Sequence, residues 1–242
     1  MALARPPKFS VIIPARDEER FIGLCLQSIR VAAAGYENEL DVIVVLNRCS
    51  DRTEKIAHSF GARTIRENAR NLAKIRNAGA SVATGRILVT IDADSTMSQG
   101  TLVAIDRALS SGTTVGGGTL IRPDRKSAGI QATLLLFTLF TMIFGLSGGL
   151  FWCLREDFEA IEGFNANLVS AEDVDFAKRL KAYGKRVGRP FSTLRGAHIV
   201  SSCRKFDAFG DWCILRNPLL VWRIMKGKNQ RAADVFYYDF ER

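Results

Sequence analysis

The chain has 242 residues and a formal net charge of +9; 47% of its residues are hydrophobic and 24% are charged. This composition excludes a disordered chain and suffices for one sizeable core. The five cysteines include no CxxC pair and no metal-ligand spacing, so neither a disulfide framework nor a zinc knuckle is expected.

The N-terminal sequence MALARPPKFS has neither the apolar region nor the cleavage site of a secretory signal, so we expect a cytoplasmic protein. Short apolar runs then alternate with helical patterns. Strands are predicted at Phe9–Pro14, Leu40–Leu46, Ala62–Ile65 and Ile87–Ile91, and helices at Phe21–Ala33, Asp51–Phe60 and Leu72–Ala83. Continuous Val and Ile runs separated by helices are typical of a parallel sheet covered on both faces. The prediction is an α/β fold with a mostly parallel central sheet flanked by helices.

Polar residues follow three of these strands: Arg16 to Glu18, Asn47 to Asp51, and Asp92 to Asp94. Ligands of open α/β sheets bind beyond the carboxyl ends of the strands, so these loops should converge on one crevice. Two aspartates separated by one alanine can supply hard oxygen ligands to Mg²⁺ or Mn²⁺. The alternative is that both acids only form an Asx turn or cap a helix that starts near Ser98.

Five runs occur in a fixed order: SVIIPARDEERFIGLCLQSI, DVIVVLNRCSDRT, NLAKIRNAGASVATGRILVTIDADS, GGLFWCLREDFEAIEGFN and AEDVDFAKRLKAYG. Their order and intervals resemble those of family-2 glycosyltransferases with the GT-A fold. The resemblance implies a Rossmann-like GT-A domain over residues 1–200, with a nucleotide-sugar half at about 8–120 and an acceptor half at about 121–200. A basic amphipathic extension over residues 201–242 would follow.

The resemblance also implies an activity. Family members transfer a sugar from a nucleoside diphosphate sugar to a hydroxyl or lipid-linked acceptor, generally with a divalent metal, Mn²⁺ or Mg²⁺. The implied donor-nucleotide site consists of Pro14, Ala15, Arg16, Glu18, Asn47, Arg76, Asp92 and Ala93. Asp94 would ligate the metal, and Arg204 and Lys205 would contact the diphosphate. His198 is either a further metal ligand or a structural histidine.

The chain departs from the family at the position that commonly holds a base-reading aspartate. Leu46 occupies it, followed by Asn47. Leucine cannot accept a hydrogen bond from a base N–H. Asn47 therefore either replaces the aspartate or only supports its loop.

Glu172 and Asp173 form a second acidic group within AEDVD. The resemblance implies that Asp173 is the base that deprotonates the acceptor hydroxyl, with Glu172 beside it. A single displacement of this kind inverts the anomeric configuration. The alternative is a helix cap, because Ser170 and Asp173 have capping-box spacing.

Residues 127–154 carry no charge, but their dense apolar part, Leu134–Phe144, is shorter than the ~20 residues of a membrane span. We predict a buried or interfacial helix there. Trp152 either stacks on a sugar or belongs to the core. The glycines at 116–118 predict a plain turn or a close backbone approach to the donor sugar.

The C-terminal part is the basic part, and its sequence WCILRNPLLVWRIMKGK (residues 212–228) contains Lys and Arg but no acid. It predicts two short helical pieces separated at Pro218, lying on an anionic membrane at its inner face. The alternative is packing against the catalytic domain. No nucleic-acid-binding module is recognisable, so no nucleic acid is expected as a partner.

Two other classes of protein share parts of this pattern. A nucleotidyltransferase would need a glycine-arginine loop after the first strand, where this chain has PARDEER, which contains no glycine. A noncatalytic, sugar-nucleotide-binding peripheral membrane protein would not need the acids.

Overall fold

The computed structural model describes residues 7–228, so the outer ends of both predicted domains lie outside the described residues. The strands are β1 (Phe9–Ala15), β2 (Leu40–Leu46), β3 (Arg63–Arg66), β4 (Ile87–Ile91), β5 (Ser95–Met97), β6 (Gly116–Pro123), β7 (Gly148–Leu154) and β8 (Phe191–Ser201). The helices are α1 (Ile22–Ala32), α2 (Thr53–Ser59), α3 (Leu72–Val82), α4 (Thr101–Ser110), α5 (Ala128–Phe144), α6 (Arg155–Ala160), α7 (Glu172–Arg186), α8 (Arg204–Phe209), α9 (Cys213–Arg216) and α10 (Pro218–Met225).

The eight strands of the described residues form one sheet in the order β3-β2-β1-β4-β7-β6-β8-β5. Strands β1 to β4 pair in parallel, and these are the four predicted from apolar runs. Strand β7 is antiparallel to both β4 and β6, whereas β6 and β8 are parallel. The predicted α/β class with a mostly parallel sheet is confirmed.

Two apolar layers cover the faces of the sheet. Successive residues of β1 point to opposite faces, so Ile13 joins one layer and Ile12 the other. Trp152 on β7 is fully buried, and its Nε1 donates to the carbonyl of Gly118 at 3.2 Å. Its core interpretation is confirmed, and stacking on a sugar is excluded.

Strand β6 begins with the three glycines, for which a turn or a close approach to the donor sugar was predicted. A Cβ on Gly117 would lie 1.6 Å from the Ser192 carbonyl oxygen, so only glycine fits between the neighbouring strands. The glycines lie in a strand, so the turn interpretation is wrong, and the approach to a donor sugar stays a prediction. The three glycines contribute no side chains to an apolar pattern, which is why the sequence did not predict a strand there.

Helix α5 was predicted to be buried or interfacial, and its exposed side chains exclude the buried alternative. Ser127 caps it by accepting from the Ile130 N–H, but the side chains of Leu135, Met142 and Ile143 are 62–77% exposed. Burial at the start of the helix involves Gly129 and Ile130. Among residues 7–228, no helix combines the length and hydropathy needed to cross a bilayer.

Several contacts tie the C-terminal helices to the rest of the fold. Arg125 binds Asp207 and Asp211, which precede α9, with its Nη2 2.7 Å from Asp211 Oδ1. At the far end, the Val169 N–H donates to the Gly227 carbonyl at 2.8 Å. Helices α9 and α10 are separated at Pro218, as predicted.

Helix α3 packs so closely on the sheet that its glycine at position 79 cannot be replaced without strain. A Cβ on Gly79 would lie 2.4 Å from Ile12 Cγ2 and 2.9 Å from Val45 Cγ2, both on stiff β-branched side chains. We expect Gly79→Ala to lower the free energy of unfolding by about 1–3 kcal/mol, measured by urea denaturation.

Gly23, the second residue of α1, is the control. A Cβ there would meet its nearest atom at 3.7 Å. Gly23→Ala should therefore leave the free energy of unfolding unchanged or raise it, by at most about 0.5–1 kcal/mol, because alanine is the better helix former. Equal effects of the two variants would contradict the close packing of α3.

Candidate active site

A crevice opens at the carboxyl ends of β1, β2 and β4. Its lining residues are Pro14, Ala15, Arg16, Glu18, Asn47, Leu72, Ile75, Asp92, Ala93, Asp94, Val169, Arg204 and Lys205. The structure thus brings together the predicted donor and diphosphate residues, except that Arg76 lies behind the surface. The convergence follows from parallel strands ending at one edge of the sheet.

Arg76 joins the crevice to the start of α7. It is buried on α3, its Nη2 donates to Asp92 Oδ1 at 2.8 Å, and its Nη1 donates to Glu172 Oε1. Burial lowers the pKa of this guanidinium, but the charges of Asp92 and Glu172 outweigh it, so the pKa is raised and the group stays charged. Lys74, two residues earlier, is exposed.

Arg204, at the start of α8, makes the corresponding link on the other side. Its two Nη atoms each donate to Glu18 at 2.7 Å, and Nη2 lies 2.8 Å from Asp94 Oδ2. Burial lowers the pKa of Arg204, but the hydrogen bonds to Glu18 and the charge of Asp94 raise it overall. Its guanidinium carbon is 5.1 Å from the centre of the Phe21 ring.

Both aspartates of the Asp92-Ala93-Asp94 motif therefore pair with arginines. Helix α4 starts only at Thr101 and has Gly100 at its N-cap, so the capping interpretation of the two acids is wrong. Each arginine is shared by two carboxylates, which leaves a formal charge of −1 on each three-residue cluster. The Asp92 side chain is 48% exposed and therefore accessible to a ligand.

Asp173 occupies the first turn of α7. Ser170, its proposed capping partner, donates its hydroxyl to the Ile224 carbonyl at 2.7 Å, and Ala171 at the N-cap has a left-handed φ of 53°. The Ser170–Asp173 capping box does not form. Asp173 Oδ1 instead accepts from the Val174 N–H at 2.7 Å.

Burial raises the pKa of both Glu172 and Asp173. The positive charge of Arg76 opposes this effect, and the negative charge of Asp92 adds to it at Asp173. A carboxylate with a raised pKa is a stronger base than an exposed one, which suits proton abstraction.

The Asn47 side chain supports its loop through the amide nitrogen and leaves its amide oxygen available. Its Nδ2 donates to the carbonyls of Glu67 and Ala69, at 2.6 and 2.9 Å, and so supports that loop. Its Oδ1 is buried without a hydrogen-bond partner among the described residues, while the residue lines the crevice. This oxygen is an available acceptor for a donor N–H.

His198 lies on β8, where its backbone N–H and carbonyl bond Ser98. The Asp94 carbonyl accepts from the Ser202 N–H, four residues further along the chain, which corresponds to about 13 Å of strand. Burial, and then the charge of Arg122, lower the pKa of His198. Its position does not support the predicted metal contact, because strand direction carries it away from Asp94.

Asp17, Cys49 and Asp51 form a group that sequence reasoning missed. One potential ligand atom from each lies within 4.8 Å of the others. Their carboxylates already accept backbone hydrogen bonds: Asp17 from Ser50, and Asp51 from Glu19 and Thr53. These bonds tie the loops after β1 and β2 together, and Asp51 precedes the N-cap of α2, which is Arg52. The sequence signal for this group was that Asp17 follows the first predicted strand and that Cys49 and Asp51 follow the second.

The sheet order and the carboxylate crevice define a glycosyltransferase of the GT-A type. Residues 10–161 match the sequence profile of Glycosyl transferase family 2, and the chain belongs to this family. No curated protein sequence matches the chain.

Solved structures show the same fold at low sequence identity. S. aureus TarS (residues 1–349) has a TM-score of 0.65 and 17% identity, over 94% of this chain and 68% of that chain. The mannosyltransferase PcManGT from Pyrobaculum calidifontis, in complex with GDP-Man and Mn²⁺, has a TM-score of 0.61 and 19% identity, over 98% of this chain and 66% of that chain. GalNAc-T7 with UDP, GalNAc and Mn²⁺ has a TM-score of 0.61 and 13% identity, over 82% of this chain and 44% of that chain.

The raised pKa values generate a prediction for stability. Because the folded state holds these protons more tightly than the unfolded state, stability falls as pH rises from the ordinary values of 4.5 and 3.8 through the raised values of Glu172 and Asp173. Asp173→Asn removes one of these groups. We expect its melting temperature at about pH 7 to equal or exceed that of the wild type, with a shallower decline from about pH 4.

Asp175→Asn is the matched control on the same helix turn. Asp175 pairs with Arg179 at 2.7 Å and should contribute about 0.5–1 kcal/mol through this pair and the helix dipole. A loss of stability in Asp173→Asn as large as in Asp175→Asn would indicate that Asp173 mainly stabilises the helix terminus.

Proposed function

We propose that the protein transfers a sugar from a nucleoside diphosphate sugar to an acceptor hydroxyl, using Mn²⁺ or Mg²⁺, with inversion at the anomeric carbon. The observation that carries this proposal is the crevice in which Asp92 and Asp94 face Arg204 and Lys205, with Asp173 nearby on α7. Solved relatives support the donor class, since TarS has been captured with UDP-GlcNAc and PcManGT with GDP-Man and Mn²⁺.

The residues of the crevice fit a divalent cation. Both arginine-centred clusters have a formal charge of −1, and a nucleoside diphosphate would add further negative charge. Asp94, with Asp92 beside it, offers the hard carboxylate oxygens that Mn²⁺ and Mg²⁺ prefer. A bound ion would offset the negative charge that develops on the leaving diphosphate. An ion at Asp94 would replace the Arg204 guanidinium there, so that Arg204 and Lys205 could turn to the diphosphate.

Asn47 is our choice for the contact with the nucleoside base. Its buried Oδ1 can accept the base N–H that Leu46 cannot bind, and its amide is already held by two carbonyls. Arg16 and Glu18 line the same crevice. A fixed acceptor of this kind costs little further ordering on binding.

Asp173 acts as the general base. It takes the proton of the acceptor hydroxyl while the acceptor oxygen bonds to the anomeric carbon and the bond from that carbon to the diphosphate breaks. The environment that raises its pKa makes it a better proton acceptor. Glu172 stays paired to Arg76 and positions the start of the helix.

A panel of nucleotide sugars tests the proposed function. Metal-dependent diphosphate release supports the glycosyltransferase. Formation of a nucleotide sugar from a nucleoside triphosphate and a sugar phosphate would support a nucleotidyltransferase, and binding without turnover a noncatalytic protein.

The two acidic positions should separate donor binding from transfer. Asp94→Asn should weaken nucleotide binding in the presence of Mn²⁺ by at least about 10- to 100-fold, as expected for damage to a metal site. Asp173→Asn should keep that affinity and lower turnover by about 10² or more. Titration calorimetry and a diphosphate-release assay measure the two effects.

Asp17→Asn is the control for the location of the metal. Asp17 has a φ of 49°, which asparagine tolerates, so the variant should fold. We expect it to bind Mn²⁺ and nucleotide as the wild type does. If Asp17→Asn lost the metal and Asp94→Asn kept it, the ion would bind at the Asp17, Cys49 and Asp51 group instead.

We also propose that the protein is cytoplasmic and that its C-terminal helices hold it on the inner face of an anionic membrane. Trp212, Leu219 and Trp222 are 42%, 70% and 55% exposed. Lys226 lies over the Trp222 ring, with its Nζ 3.7 Å from the ring centre. Exposed aromatic and aliphatic side chains beside cations are typical of interfacial segments.

Co-sedimentation with acidic vesicles checks the membrane proposal. Binding should be present at low salt and weaken at high salt, because each Lys or Arg contributes only roughly 1 kcal/mol. The double variant Leu219→Ser/Trp222→Ser should bind markedly less, whereas Val187→Ser, at a residue that is 40% exposed on the main domain, should bind normally. Equal binding by all three proteins would rule out this segment as the membrane contact.

A further inference from the structure

Helix α5 and the strands β6 and β7 enclose an apolar groove outside the donor crevice. Its inner part reaches Asp173 and Val174, and its outer part reaches Phe191 and Arg195. The residues that line both parts are Phe137, Thr141, Leu146, Ser147 and Gly148. The two parts share these wall residues and lie side by side beneath α5, the inner one at the proposed base and the outer one at the surface.

Two buried hydroxyls face this groove without partners. Thr119 is 2% exposed and Ser147 is 7% exposed, both line the groove, and neither hydroxyl oxygen has a hydrogen-bond partner among the described residues. Buried hydroxyls are normally satisfied, so an unmet pair at one site points to a ligand that supplies the missing bonds.

The sheet is irregular at the same place. The pairing of β6 with β7 shifts between Gly118 and Thr119, from Phe151 to Gly148. This irregularity ends the regular pairing beside Ser147. Bulges are frequent next to binding sites because they redirect side chains.

The rest of the lining combines an apolar part with further hydroxyls, and its charged residues are Asp173 at the inner end and Arg195 at the outer end. The apolar side chains come from β6 and from α5 and the turn after it: Leu120, Ile121, Leu134, Phe137, Met142 and Leu146. These apolar side chains suit a hydrocarbon chain or ring, while the hydroxyls and the charged ends suit the polar part of the same ligand.

We propose that this groove binds the acceptor, and that the acceptor is an amphipathic alcohol. Its hydroxyl lies at Asp173, its neighbouring polar atoms bond Ser147 and Thr119, and its apolar body lies beneath α5. The inference rests on the proposed function for the reaction itself: Asp173 receives the hydroxyl proton, the acceptor oxygen bonds to the anomeric carbon, and the electron pair of the broken bond leaves with the nucleoside diphosphate.

Titration calorimetry with hexyl, octyl and decyl β-glucosides below their micelle concentrations tests the groove. Each added methylene that is buried should tighten binding about threefold to fourfold. Thr141→Trp fills the groove from α5 and should abolish this dependence on chain length. Ile143→Trp places the same side chain on the same helix at a position that is 77% exposed, and should keep the dependence.

Removal of the two hydroxyls gives a second test. Ser147→Ala and Thr119→Val should each weaken binding by about 2- to 10-fold, while stability to urea stays the same or increases, because an unpaired buried hydroxyl is lost. A structural role for these hydroxyls would lower stability instead.

The outcomes separate this inference from the proposed function. Diphosphate release in water with no effect of chain length would overturn the groove and leave the glycosyltransferase standing. Binding that strengthens with chain length in a protein that binds no nucleotide sugar would do the reverse. If Thr141→Trp only dissociated a dimer in size-exclusion chromatography, the groove would be an interface between two copies, and the acceptor assignment would be wrong.

Discussion

The sharing of Arg76 between Asp92 and Glu172 is the contact on which the site depends. Glu172 is buried, and a buried carboxylate is costly unless a cation neutralises it. Arg76 can do this because α3 carries it beneath the crevice, against Phe164 at 5.3 Å. Its guanidinium joins the loop after β4 to the first residue of α7. It therefore fixes the separation between the donor side and the acceptor side of the site.

Arg204 repeats this arrangement with Glu18 and Asp94, but from a helix near the end of the chain. It sits on α8, which is further anchored by the contact of Asp207 with Arg125. A metal ion and Arg204 would compete for Asp94, so donor binding and the position of α8 are expected to be coupled. The same C-terminal segment reaches the loop before Glu172 through Ile224, which connects the proposed membrane-facing helices to the proposed base.

The part of the candidate site that lies at the carboxyl ends of the parallel strands could be predicted from the sequence. Pro14, Asn47 and Asp92 converge because the carboxyl ends of parallel strands meet at one edge. The predicted metal contact of His198 could not be judged in this way, because β8 was not predicted. The direction of β8 carries the imidazole away from Asp94. The sequence also could not show what covers α5. An apolar helix has the same sequence pattern whether protein, membrane or ligand covers it.

The sequence by itself determined the four parallel strands, the intervening helices and the acids that end them, because apolar runs and their breaks are local signals. Only the tertiary structure decided the pairing of these acids: Glu18 with Arg204, 186 residues apart, and Glu172 with Arg76, 96 residues apart. It also decided that Trp152 is core and that Ser147 and Thr119 face a groove. Such facts depend on which surfaces meet after folding, and no local pattern of residues records that.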